Sequence, residues 1–115
     1  MPAPIAIIDF ETTGSTPAQG ARATEVAIVL VEGGQVVDRF QSLMNAGVRI
    51  PPFITQLTGI TNAMVADAPP AAEVMAQARR FVGEVPLVAH NAAVGGGIWQ
   101  AELALAGCDA PQPFA

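Results

Sequence analysis

Two acidic residues two positions apart, Asp9 and Glu11, are the clearest candidates for chemistry in this sequence. Alternate side chains of an extended strand point to the same face, so both carboxylates are expected on one side of the chain. Two like charges so close raise each other's pKa unless a cation lies between them. Divalent ions such as Mg²⁺ prefer carboxylate oxygens, and two ions about 4 Å apart can stabilise the attacking and leaving oxygens of phosphodiester cleavage. The spacing therefore predicts a divalent-metal site.

The residues around the acidic pair favour this interpretation over a structural one. An Asp-x-Glu pattern is common, and Asp9 could simply cap the next turn while Glu11 points to solvent. Here the pair stands between the apolar run 5–8 and the segment Thr12-Thr13-Gly14. Such a turn offers backbone N–H groups and hydroxyls beside the metals, where a terminal nucleotide could dock.

The elements that must position these residues can be predicted from hydrophobic patterning. The run 5–8 indicates a strand buried on both faces. Two further β-rich runs are separated by Gly33-Gly34, which predicts an antiparallel hairpin. The remaining predicted elements are a second strand over 25–31, a third over 36–40, a short helix over 53–57, a helix over 70–82, a fourth strand over 86–89 and a helix over 98–106.

This order of elements predicts an α/β fold with a mixed sheet. Three strands form an antiparallel meander, a fourth strand joins them in parallel, and the helices pack on the sheet. The ends of the first and fourth strands can then lie side by side. Asp9 and Glu11 would in that case lie close to His90 and its neighbours.

Composition limits the function classes. The chain has 115 residues, 51% of them apolar, which suits one domain with a modest core. Its net charge of −5 argues against a module that holds nucleic acid by bulk electrostatics, although bound cations can supply positive charge locally. The single cysteine, Cys108, fits a reducing cytoplasm. No apolar stretch is long enough to span a membrane.

Three sequence blocks in the same order resemble the DnaQ-like (DEDD) 3′–5′ exonucleases, a family that includes the proofreading subunit of the bacterial replicative polymerase. The first block is Asp9 to Gly14, which has the family's Asp-x-Glu-Thr-Thr-Gly pattern. The second is the segment 50–61, Ile-Pro-Pro-Phe-Ile-Thr-Gln-Leu-Thr-Gly-Ile-Thr. The third is the segment 87–93, Leu-Val-Ala-His-Asn-Ala-Ala. The resemblance runs over nearly the whole chain.

The resemblance implies a ribonuclease-H-like fold and hydrolysis of nucleotides from the 3′ end of single-stranded DNA or RNA. It implies two Mg²⁺ or Mn²⁺ ions as cofactors, and DNA polymerase subunits as partners. Asp9 would bridge both metals and Glu11 would hold one. The residues expected to contact the terminal nucleotide or to build the second-motif corner are Thr12, Thr13, Leu57, Thr58, His90 and Asn91.

Two departures from the family pattern bear on activity. The family has a Phe-Asp pair, whose Asp binds metal, where this sequence has Val94 and Gly95. The family's downstream His or Tyr and its following Asp have no counterpart before Ala115. Residues 1–115 are therefore expected to form a single exonuclease domain that lacks its C-terminal part and has little or no activity.

Several alternatives stay open from the sequence alone. A non-catalytic relative could bind nucleic acid or a protein through the same fold, and a purely structural α/β domain could leave Asp9 and Glu11 solvated. Glu25 could lie near the metals, but a polar residue at a strand end is the preferred interpretation. His90 and Asn91 could contact substrate or satisfy backbone groups.

Overall fold

The structure is a computed structural model, and it describes residues 4–14, 20–89 and 92–109, with the backbone alone at 92–96. Within these residues, four strands form one sheet in the order β3-β2-β1-β4. The strand β1 pairs antiparallel with β2 and parallel with β4, and β2 pairs antiparallel with β3. The mixed sheet predicted from the sequence is therefore confirmed. The elements in chain order are β1 (Ile5–Thr12), β2 (Ala23–Glu32), β3 (Gln35–Leu43), α1 (Pro52–Thr58), α2 (Asn62–Ala66), α3 (Ala71–Val82), β4 (Leu87–Ala89) and α4 (Ala92–Leu105).

The Gly-Gly pair makes the predicted hairpin turn between β2 and β3. Gly33 and Gly34 have φ values of 60° and 78°, which lie in the left-handed region. A two-residue hairpin turn with both φ angles positive matches the right-handed twist of the flanking strands. Glycine adopts this conformation without a steric penalty. Both strands are longer than the pattern predicted because β-sheet pairing continues past the apolar runs.

One face of the sheet carries the main core. Ala6 and Ile8 of β1 and Val26 and Ile28 of β2 are fully buried there, against α3 and α4. The predicted apolar stripe of α3 is confirmed, since five of its residues are buried: Ala71, Val74, Met75, Ala78 and Val82.

The helix α4 begins at Ala92, six residues before the predicted start at Ile98. Gly95, Gly96 and Gly97 lie within it, although each glycine costs about 1 kcal/mol relative to alanine in a helix interior. Tertiary packing offsets this cost, because the residues that follow insert fully into the core: Ile98, Trp99 and Leu103.

The opposite face of the sheet, called here the open face, is only partly covered in the described part of the chain. Ile5 and Ile7 are half-buried and Asp9 is exposed. The prediction that this strand is buried on both faces is therefore wrong. Its continuous apolar pattern does not reveal that the helices α3 and α4 pack on one side only. Among the described residues, no helix is long and apolar enough to cross a membrane.

The helices α1 and α2 form a small unit with a hydrophobic cluster of its own. Ile50, Ile60 and Val65 are buried in this cluster, and Leu43 at the end of β3 packs against it. The side chain of Asn62 accepts a hydrogen bond from the Ile50 amide at 2.7 Å and donates one to the Ile50 carbonyl at 3.1 Å. These bonds join the segment before α1 to the first residue of α2.

Candidate active site

Asp9 and Glu11 lie on the open face, within the paired part of β1. The strand continues to Thr12, so both residues belong to the β-ladder rather than to a loop beyond it. Asp9 lies opposite Ala27, and Glu11 lies opposite Glu25. Residues directly opposite in an antiparallel pair share one face of the sheet. The expected same-side placement of the two carboxylates is thus confirmed.

Glu25 adds a third carboxylate to this face. Its side chain is half-buried and accepts a hydrogen bond from Nε2 of Gln41 at 3.0 Å. The pKa of Glu11 is raised above its ordinary value, first by burial and then by the negative charges of Asp9 and Glu25. Sequence reasoning favoured a peripheral role for Glu25. The signal it lacked was the register of the two strands, which places Glu25 across from Glu11.

These three carboxylates form an acidic row, defined as Asp9, Glu11 and Glu25. The row suits a hard divalent cation in donor chemistry, because carboxylate oxygens are preferred ligands of Mg²⁺. A cation would also relieve the repulsion that raises the pKa of Glu11. Across residues 4–14, 20–89 and 92–109, no group of three His, Cys, Asp or Glu side chains converges closely enough to enclose a metal ion.

The turn after Glu11 is held by its own hydrogen bonds. The Thr12 hydroxyl donates to the Gly14 carbonyl at 2.7 Å. The Thr13 amide donates to the Arg22 carbonyl at 2.9 Å, and the Arg22 amide donates to Oγ1 of Thr13 at 3.0 Å. The Thr13 amide is thus already used within the protein. Oγ1 of Thr13 accepts in this contact, and a hydroxyl can also donate one hydrogen bond.

The α1–α2 unit stands beside the acidic row on the same face. Glu11, Glu25 and Leu43 are consecutive cross-strand partners from β1 to β3, and Leu43 packs under the unit. Neighbouring strands are about 4.8 Å apart, so the unit begins roughly 10 Å from Glu11. The acidic row and the α1–α2 unit therefore lie on the same face of the sheet.

The exposed face of α1 is apolar. Phe53 and Leu57, four residues apart and hence on one side of the helix, are 62% and 79% exposed. Thr58, which was expected to line a nucleotide pocket with Leu57, has its hydroxyl engaged at the helix end. It donates to the Ile54 carbonyl and accepts from the Ile60 amide, each at 3.1 Å. Leu57 is thus available for contact, while Thr58 maintains the shape of the turn.

The second-motif corner lies only partly within the described residues. His90 and Asn91 fall outside them. Ala89, which precedes His90, pairs with Ile8, which precedes Asp9. The predicted approach of the first and fourth strands is confirmed up to that point.

Comparison with known proteins identifies the family. The sequence model of the RNase T family, described as exonuclease, matches residues 6–107, which include the acidic row, α1 and all of α4. The chain belongs to the DnaQ-like exonuclease family. Among relatives in this family, it is 38% identical over 105 residues to the 3′–5′ exonuclease DinG of Bacillus subtilis, covering 91% of this chain and 11% of DinG. It is 41% identical over 86 residues to a PolC-type DNA polymerase III of Bacillus cereus, covering 75% of this chain and 6% of the polymerase.

The fold agrees with a solved exonuclease. The zinc-ion-bound complex of Escherichia coli exonuclease I with single-stranded DNA superposes with a TM-score of 0.82, at 16% identity, over 95% of this chain and 25% of that protein. The match establishes the ribonuclease-H-like fold. The chain therefore spans a small part of each of these larger proteins.

Proposed function

We propose that this domain acts at the 3′ end of a nucleic acid and hydrolyses phosphodiester bonds in the 3′–5′ direction with divalent metal ions. The observation that carries the proposal is the acidic row, in which three carboxylates lie on one face and the pKa of Glu11 is raised, first by burial and then by the charges of Asp9 and Glu25. Unfavourable clustering of like charges is typical of sites that bind a cation. In an exonuclease family, the corresponding cation is Mg²⁺ or Mn²⁺.

Asp9 and Glu11 would hold the metal, with Glu25 adding negative charge beside them. The bound metal would supply the positive charge that activates water and stabilises the phosphate. Leu57, with most of its side chain exposed, would pack against the terminal base. The hydroxyl of Thr13 would donate to an oxygen of the terminal nucleotide, since its oxygen already accepts from Arg22. These contacts would hold the 3′ end over the acidic row.

The names of the relatives support this direction and substrate. DinG of Bacillus subtilis is a 3′–5′ exonuclease by name, and the superposed exonuclease I is bound to single-stranded DNA. The identity with a PolC-type polymerase supports polymerase subunits as partners of the whole protein. His90 and Asn91 are proposed to complete the corner beside Asp9.

The 115-residue chain by itself is proposed to hydrolyse slowly or not at all, because it has Val94 and Gly95 where the family has a Phe-Asp pair. A second candidate function follows from the same observation. With two of the family's four carboxylates present, the domain could bind a 3′ end without cleaving it.

The experiment uses a 3′-labelled single-stranded oligonucleotide incubated with the chain and Mn²⁺. Binding that requires Mn²⁺ and is lost in Asp9→Ala, with little mononucleotide release, is the expected result. The control is Asp38→Ala, which removes an exposed acid from β3 outside the acidic row. Equal binding by Asp9→Ala and the unchanged chain would contradict the proposed site. Robust release of mononucleotides by the unchanged chain would overturn the proposed inactivity of the 115-residue chain and remove the second candidate.

A further inference from the structure

A buried carboxylate on α4 contacts the start of β2, just before Glu25 of the acidic row. The side chain of Glu102 is 2% exposed and forms an ion pair with Arg22. Oε2 accepts from Nε of Arg22 at 2.9 Å and from the Ala23 amide at 2.9 Å, and Oε1 accepts from Nη2 of Arg22 at 3.1 Å. Glu102 therefore accepts three hydrogen bonds: one from Ala23, the first residue of β2, and two from Arg22, which precedes it.

Arg22 carries this contact onward to two other segments of the site. Its backbone exchanges two hydrogen bonds with Thr13, in the turn directly after Glu11. Its Nη1 donates to the Ala46 carbonyl at 3.3 Å, in the loop between β3 and α1. Arg22 thus joins three segments: its guanidinium contacts α4 and the loop that leads to the α1–α2 unit, and its backbone contacts the turn after β1.

We propose that Arg22 and Glu102 are positioning residues, which fix the turn at Thr12 and Thr13, and through it the end of β1, against the helix that follows the second motif. The inference rests on the proposed function, since it concerns how the acidic row is held for its metal. Neither residue touches metal or substrate. Each acts through Thr13 and the backbone of β1.

The chemistry of the pair fits positioning better than simple stabilisation. A buried ion pair can often be replaced by apolar residues without loss of stability, because removing two charges from water is costly. Apolar residues cannot reproduce the fixed orientation that the hydrogen bonds of Arg22 give to the segments it joins. The planar guanidinium donates two parallel bonds to one carboxylate and leaves a third donor for Ala46. Residues that orient metal ligands from outside typically change metal affinity by 10–100-fold when they are replaced.

The test compares two variants of the pair with two variants of the neighbouring core. Glu102→Gln keeps the size of the side chain and removes its charge. Arg22→Lys keeps the positive charge and removes the paired guanidinium donors that bond to Glu102. Leu103→Ala and Ile98→Val alter fully buried apolar residues of the same helix, which makes them controls for lost stability. Each variant of the full chain is examined for amide hydrogen exchange, for Mn²⁺ affinity and for Tm.

The expected result is selective loss of order at the turn. In Glu102→Gln and Arg22→Lys, the Thr13 amide exchanges about 10-fold faster relative to the Met44 amide, which bonds to the Thr24 carbonyl in the same sheet. The Mn²⁺ dissociation constant rises about 10-fold. In the core controls, Tm falls to a similar extent while the exchange ratio and Mn²⁺ affinity stay within about 2-fold of the unchanged chain.

The two readouts separate this inference from the proposed function. If both core controls shift the exchange ratio and the affinity in proportion to Tm, the pair is merely structural and the inference is overturned. The same conclusion follows if Arg22→Lys, the milder variant, leaves both values unchanged. If the unchanged chain binds no Mn²⁺, the proposed function fails, and the Thr13 exchange ratio still decides whether the pair orders the turn.

Discussion

Glu11 on β1 and Glu25 on β2 are direct cross-strand partners on the open face of the sheet. Like charges placed opposite each other destabilise an antiparallel pair. The chain nevertheless adds Asp9 two residues away on the same face, and burial together with the two neighbouring charges raises the pKa of Glu11. An arrangement that opposes folding at neutral pH is consistent with a site selected for binding.

Removing the charge of Glu11 is expected to stabilise the metal-free chain at neutral pH. A carboxyl whose pKa is raised by folding favours the folded state only while it is protonated, so that contribution is lost as pH rises through the raised pKa. Glu11→Gln should therefore raise Tm at pH 7 by roughly 2–4 °C, from about 0.5 kcal/mol of relieved repulsion. Near pH 4, about the ordinary glutamate pKa, the gain should shrink.

The control for this variant is Glu32→Gln, which neutralises an exposed acid at the far end of β2. Thermal unfolding is followed by the fluorescence of Trp99, the one tryptophan, which is fully buried. A gain in Tm that is independent of pH, or that is equal for Glu32→Gln, would show that clustering at the acidic row is not the cause.

Without divalent ions, removing a charge from the acidic row is expected to stabilise the chain. With divalent ions bound, the unchanged chain is expected to be the more stable protein. A ligand that binds only the folded state stabilises it by about 2.7 kcal/mol at 100 times its dissociation constant. Mn²⁺ should therefore raise the Tm of the unchanged chain and have a much smaller effect on Asp9→Asn. Asp38→Asn, which changes an exposed acid of β3, should respond like the unchanged chain. An equal rise in Asp9→Asn would mean that Mn²⁺ binds elsewhere.

The sequence was sufficient to predict the four strands and the helices α1, α3 and α4, because these elements depend on local patterns, whereas the short helix α2 was not predicted. Helical spacing predicted α3, and the glycine pair predicted the hairpin. The same-side placement of Asp9 and Glu11 followed from strand periodicity alone. The contribution of Glu25 could not be predicted, since it depends on which residue of β2 lies opposite Glu11.

Long-range contacts account for the other differences. Arg22 and Glu102 are separated by 80 residues, and no pattern in the sequence joins them. The start of α4 was placed too late because the glycine run disfavours a helix, while burial of Trp99 and its neighbours favours one. The exposed open face was missed because the apolar run in β1 looks the same whether helices cover one face or two.

The exposed face of α1 is expected to contribute to binding of a nucleic-acid 3′ end. Leu57→Ala should weaken the binding of a short single-stranded oligonucleotide by about 5–10-fold. Replacing an aromatic side chain that stacks on a base by alanine costs about 1–3 kcal/mol of binding free energy, and the loss of an aliphatic contact is expected at the low end of that range. The matched control is Leu105→Ala, which truncates a similarly exposed leucine on α4. Fluorescence anisotropy of a labelled oligonucleotide measures both. Equal losses for the two variants would indicate a general effect of surface truncation.

Restoring the second-motif carboxylate is expected to strengthen metal binding. The double change Val94→Phe with Gly95→Asp introduces the family's Phe-Asp pair, and it favours α4 slightly, because glycine is a poorer helix former than aspartate. Mn²⁺ affinity should rise about 10-fold or more, because a further charged ligand joins Asp9 and Glu11. Gly97→Asp is the matched control, since it adds the same charge to the same helix two residues later, where the side chain points in a different direction. A rise in affinity confined to the restored pair would place the missing ligand at position 95, whereas an equal rise in Gly97→Asp would show that added negative charge alone attracts the ion.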